Sequence, residues 1–282
     1  MGSVSASCPA LPDIGDLSSL FPEDCRGSEY RIVHVYASVT LLAFGAEKRI
    51  PELWQQIAQL YAKNEAAQAT AAARLREGLV KASPLIGFPR AINALAALRT
   101  CIQQTSSPSV QSSLQSPAPP ACHGLPCSLA KPTQRGQTLF DQTYGQHAQR
   151  VRQNLDDISG DALGGFAVRC IYGELLAEER VLSAKESAGL VFITCLAAGA
   201  GPQAKGHMYG ARNLGNSGEE IAAAVQLVRR MAEGLEVRVD LEEMDFLKKA
   251  NGTGIRLGDS GAGTDGDIGA RSKDGDSPSG AK

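Results

Sequence analysis

Apolar residues recur every three or four positions along two stretches of this chain. That periodicity limits the chain to packed amphipathic helices. In the first stretch, apolar residues run almost all round 31–45, as they do in a buried helix. Pro51 opens the next helix, where its missing N–H costs nothing, and Leu53, Trp54, Ile57, Leu60 and Tyr61 follow. An Ala-rich helix spans 66–85 with Leu75, Leu79 and Val80 on one side, until Gly87-Phe-Pro89 stops it and starts another. In the second stretch, Leu139, Tyr144, Val151 and Leu155 mark one helix, and 161–179 form a second. Ser183 with Glu186, and Ser217 with Glu220, have the spacing of capping boxes. Pro202 begins a helix that runs through Leu214. Only 235–239 has any strand character, so the fold class expected is all-α.

The blocks fall at 28–104 and 135–250. Between them, residues 105–134 hold six Pro and seven Ser, and 251–282 hold nine Gly. Such segments bury too little apolar surface to offset their ordering entropy, so both are expected to be disordered, with a flexible N-terminus over 1–27. Of the 282 residues 43% are hydrophobic but only 5% aromatic, so Ala, Leu, Ile and Val must build the core. Helices of that kind leave wide apolar faces, and a homo-oligomer is expected.

With 28 basic and 30 acidic residues the net charge is −2, which argues against nucleic acid and anionic membrane as partners. The longest apolar runs, 33–46 and 190–200, are too short to span a bilayer. The first twenty residues lack a secretory pattern, and Ser279-Gly280-Ala281-Lys282 is not a Ser-Lys-Leu type peroxisomal address. A cytoplasmic protein is the expectation. Seven cysteines at irregular spacing suit a reducing compartment. Cys122-His123-Gly-Leu-Pro-Cys127 lacks a second ligand pair, so no metal or other cofactor is expected.

Residues 135–232 carry a further pattern: Arg135-Gly136 before a helix, Ile171-Tyr-Gly-Glu174-Leu-Leu, Leu182-Ser-Ala-Lys-Glu186-Ser, and Gly206-His207-Met-Tyr-Gly-Ala-Arg-Asn213 followed by Glu219-Glu220-Ile221. This run resembles the carboxymuconolactone decarboxylase family, which includes the alkylhydroperoxidase-D-like proteins. Gly87-Phe-Pro-Arg-Ala91-Ile-Asn93-Ala-Leu95 looks like that family's usual continuation displaced into the first block. The resemblance implies a helical bundle of two related blocks, the first a degenerate partial repeat, as in fungal-type members.

It also implies a small-molecule enzyme of decarboxylase or peroxidase type. The peroxidase branch uses a Cys-x-x-Cys pair, but Ala200 and Gln203 occupy those positions and the chain has no such pair. Cys195 reads as a buried structural cysteine. The branch that remains needs proton transfer and an anion clamp. His207 matches the family's inward histidine, and Glu174 stands where a carboxylate would orient it. Lys205, Arg212 and Tyr209 are candidates for holding a substrate. The alternative is a catalytically lapsed helical scaffold or ligand-binding protein.

Overall fold

Two capping boxes set helix starts in the second half of the chain. Ser183 Oγ accepts Glu186 N at 3.3 Å while Glu186 Oε2 accepts Ser183 N at 2.9 Å. Ser217 and Glu220 repeat the arrangement at 3.0 and 2.5 Å. Each pair satisfies donors that a first turn otherwise leaves open.

The computed structural model describes residues 10–26, 32–114, 130–239 and 241. Helices α1 (Ile14–Ser19) and α2 (Glu23–Arg26) precede α3 (Ile32–Ala43). A 3₁₀ turn over Glu47–Arg49 leads into α4 (Ile50–Leu60), followed by α5 (Glu65–Ile86), α6 (Phe88–Thr105) and α7 (Pro108–Ser113). Then come α8 (Ala130–Tyr144), a 3₁₀ turn over Gly145–His147, α9 (Ala148–Ser159) and α10 (Leu163–Phe166). That short helix continues directly into a π-helical stretch, Ala167–Leu176. The last three are α11 (Ala184–Ala197), α12 (Gly201–Asn213) and α13 (Gly218–Gly234). The fold is all-α, and no residue among those described is in a strand; 235–239 is turn and irregular chain.

Two helices form the centre. Nearly all of α3 is buried, from Val33 to Leu42, and so is α11 from Gly189 to Ala197. α11 packs on α3 and α5, and α13 packs on both α3 and α11. The two sequence blocks therefore close one continuous core, in which the single tryptophan, Trp54, is fully buried.

Local chemistry explains where the structure departs from expectation. Within the Ser/Pro-rich stretch, Ser107 caps α7 by accepting Val110 N at 3.4 Å, Pro108 fits the first turn, and Val110 is fully buried. Near the N-terminus, Leu11, Ile14, Leu17 and Phe21 join the core, and Ile14 N donates to Gln56 Oε1 at 2.8 Å. The single helix expected from Leu139 to Leu155 is divided at Gly145, whose φ is +53°. Residues 130–134 of the Ser/Pro-rich stretch open α8, while 1–9, 27, 115–129 and 251–282, with Cys122 and Cys127, lie outside the described residues.

One close approach shapes the region of interest. A Cβ on Gly136 would sit 1.8 Å from Val168 O, and one on Gly173 would sit 2.0 Å from Pro132 O. The missing side chains let the backbones of α8 and the π-helical stretch touch. Arg135 Nη2 seals the contact by donating to Gly173 O at 2.5 Å.

Candidate functional site

His207, Gly210, Ala211 and Leu214 recur at three- and four-residue spacing, so they share one face of α12. That face looks onto Ser187, Ala188 and Val191 of α11, Leu139 and Thr143 of α8, and Tyr172 and Leu176 of the π-helical stretch. Together they line a small, partly open hollow. The centre of a water-sized sphere has about 20 Å³ to move in, enough for about one water. Gly210 is needed here, because a Cβ would lie 2.6 Å from Thr143 Cγ2.

The polar atoms around this hollow are held neutral. Tyr172 OH donates to Tyr144 OH at 2.9 Å, and Phe140 packs on both rings at 4.6 and 4.9 Å between centroids. The His207 ring lies 6.1 Å from that of Tyr144. His207 is only partly shielded by surface area, but its ring is densely surrounded, and burial lowers its pKa to about 4. Burial raises both tyrosines and pushes the Cys195 thiol up to about 12. No acidic residue lines the hollow.

Of the residues expected to form a site, the structure brings only His207 to this place. Glu174 does not line the hollow; its charge acts on exposed Arg169. Lys205 is exposed, and Tyr209 is 44% exposed. Arg212 Nη1 donates to Asn216 O at 2.9 Å and closes the turn into α13.

A second polar region lies behind the wall. Lys81 Nζ, fully buried, donates to Glu178 O at 2.6 Å, and has Ser187 Oγ at 2.7 Å and Leu176 O at 3.3 Å. Leu182 O is at 3.5 Å and Glu77 Oε1 at 3.9 Å. Burial pulls the Lys81 pKa down to about 8, against the pull of Glu77. Arg74, two turns away along α5, meets Glu186 Oε1 at 2.5 Å and Val181 O at 3.0 Å. Burial works against the Glu186 charge, but Arg74 and Ser183 outweigh it and its pKa is lowered. Sequence reasoning read Glu186 only as the capping partner of Ser183 and passed over Arg74, Glu77 and Lys81. The available signal was Arg74, Glu77 and Lys81 recurring in phase with the buried stripe of Leu75 and Leu79.

Among the described residues no group of three His, Cys, Asp or Glu could hold a metal ion, and no helix is long and apolar enough to cross a membrane.

No family model matches the chain, and no solved structure does. Peroxisomal protein 2 of Schizosaccharomyces pombe is 30% identical over 173 residues, covering 61% of this chain and 75% of that protein. Peroxisomal protein 2 of Saccharomyces cerevisiae is 28% identical over 169 residues, covering 54% of this chain and 58% of that protein. These findings overturn the resemblance to the carboxymuconolactone decarboxylase and alkylhydroperoxidase-D-like proteins, and with it the decarboxylase and peroxidase activities it implied. Capping boxes and Ala-rich helix faces are general devices for packing helices, so their order alone is weak evidence of kinship. The cytoplasmic expectation is corrected as well, because both relatives are named for the peroxisome. On the identity and coverage shared with the fission-yeast protein, this chain belongs to the peroxisomal protein 2 family.

Proposed function

We propose that this protein works in the peroxisome by binding a small, uncharged molecule in the hollow beneath His207. The names of both relatives support the compartment. The observation that carries the binding reading is the hollow's neutrality: apolar side chains surround one imidazole, one phenol and two hydroxyls, with no carboxylate among them. A charged ligand would lose its hydration there without gaining a partner. Methanol, formamide and other neutral molecules of about two or three heavy atoms suit both this chemistry and the room available. Thermal-shift titration with such a panel should raise Tm for the natural protein, and Ala188→Leu, which fills the hollow, should abolish the shift. A flat response across the panel would defeat the reading. A fluorescent fusion expressed in a fungal cell should coincide with a peroxisomal marker; a diffuse cytosolic signal would refute the compartment.

A homo-oligomer belongs to the same proposal. Phe88 and Ile92 on α6 are 66% and 61% exposed, and Ile158 and Phe166 are 69% and 50% exposed. Exposed side chains of this size favour burial against a second copy. Sedimentation should give more than one copy per particle, and Phe88→Ser with Ile92→Ser should lower that number.

A further inference from the structure

Helix α9 lies at the margin of the bundle, packed chiefly on α8, α10 and the 3₁₀ turn before it. Its inner flank is occupied. Arg152 Nε donates to Asp156 Oδ2 at 3.0 Å, and Asp156 Oδ1 accepts Gly164 N at 3.0 Å, which fixes α10 against α9. Its outer flank is bare. Arg150, Asn154, Asp157 and Ile158 are all exposed and recur at three- and four-residue spacing, so they share one face. Ile158 is 69% exposed, and beyond the left-handed turn at Gly160 the chain adds Leu163 and Phe166, 45% and 50% exposed.

The charges on this face run against the helix that carries them. α9 has no acidic residue in its first turn and no basic residue in its last. Arg150 stands instead in the first turn, where the helix end is partly positive, and Asp157 in the last, where it is partly negative. Asp157 Oδ1 accepts Gln153 Nε2 at 2.8 Å from its own helix, and Arg150 forms no ion pair among the described residues. Two turns, about 10 Å, separate Arg150 from Asp157, so within one molecule they do not pair. Against a second copy the same arrangement becomes favourable. Two α9 helices laid antiparallel across a twofold axis set Arg150 of each on the partner's Asp157. Each helix end then receives a charge of the sign its dipole favours, and both Ile158 side chains leave water. A parallel pairing sets like charges together. Asp157 and exposed Asp161 flank Ile158, which disfavours an anionic lipid surface as the occupant.

We infer that α9 is the contact through which two copies of this chain pair antiparallel, with Asn154 beside the twofold axis, an inference that rests on the homo-oligomer proposed above and names one of its interfaces. The contact uses the same patch on both copies, so it closes on itself.

Sedimentation of the full chain compares the natural protein with Arg150→Glu, with Asp157→Lys, and with an equal mixture of the two variants. Each reversal alone places two like-charged contacts in the pair and should weaken association at least about 10-fold. In the mixture the two new charges face each other, as do the two natural ones, so association should return to near the natural level. Arg150→Glu also puts a carboxylate in the first turn, so the Tm of the dilute chain should not fall, which separates lost association from lost fold. Single variants that associate as the natural protein does would overturn the α9 interface and leave the homo-oligomer on another face. Single variants that dissociate and do not recover in the mixture would overturn it too, because the charges then act elsewhere than across the pair. A natural protein that stays monomeric at every concentration removes the homo-oligomer and this interface together.

Discussion

The hollow under His207 and the knot around Lys81 share α11, yet they treat charge in opposite ways. In and around the hollow, burial takes charge away: His207 is neutral above about pH 4, Cys195 behind the wall keeps its proton to about pH 12, and Tyr172 bonds to Tyr144. In the knot, charge survives burial because backbone carbonyls converge on it. Lys81 reaches the carbonyls of Leu176, Glu178 and Leu182, and Arg74 reaches Val181 and the Glu186 carboxylate. The segment 177–182, between the π-helical stretch and α11, has its carbonyls turned inward onto α5. The lesson is that a cation persists in this core where it completes the hydrogen bonding of an irregular segment, and is absent where the helices are self-sufficient.

The largest effect should come from removing the cation that ties this segment. Lys81→Met leaves buried carbonyls without a donor and should lower stability by about 3–5 kcal/mol in urea unfolding. His207→Leu, made in the other region at neutral pH, should cost far less. Equal costs would break the comparison, because the knot would then be no more demanding than the hollow.

A second effect is set by pH. In the folded chain His207 has a pKa of about 4, below the 6.5 of an unconstrained imidazole. Between those values the unfolded chain binds the additional proton, so stability falls as pH drops from about 6.5 to about 4 and levels off below that. Allowing for the ring's partial solvent contact, the loss attributable to this residue is on the order of 2 kcal/mol. Unfolding curves of the natural protein and His207→Phe should diverge across that window; parallel curves would show that the ring is not held neutral by the fold.

The smallest effect tests the edge of the knot. Ser183→Ala removes the cap of α11 and one of the groups holding the Glu186 carboxylate, and should cost about 1 kcal/mol in thermal unfolding. A loss near that of Lys81→Met would mean that cap and cation act as one unit.

Much of the helical layout is legible in the sequence, because helix starts and stops are local. The Ser183–Glu186 and Ser217–Glu220 boxes, Pro51 in a first turn, and the stop at Gly87, which takes a φ of +103°, each need only a few neighbouring residues. That residues 207, 210, 211 and 214 share a face of α12 follows from helix geometry, but that this face looks inward came only from the packing. Glu174 is not legible, because it lies on a π-helical stretch. The wider turn changes which residues share a face, and a spacing argument made for 3.6 residues per turn points the wrong way.

By itself, then, the sequence determined that the chain would be helical and where most helices begin. The tertiary structure alone decided that Lys81 would be buried with its charge and that Glu174 would stand apart from His207. The carbonyls that hold Lys81 arrive about a hundred positions later in the chain, at the end of the π-helical stretch and on the segment that follows it. Coordination of that kind is a property of three-dimensional proximity, and no local pattern of residues records it.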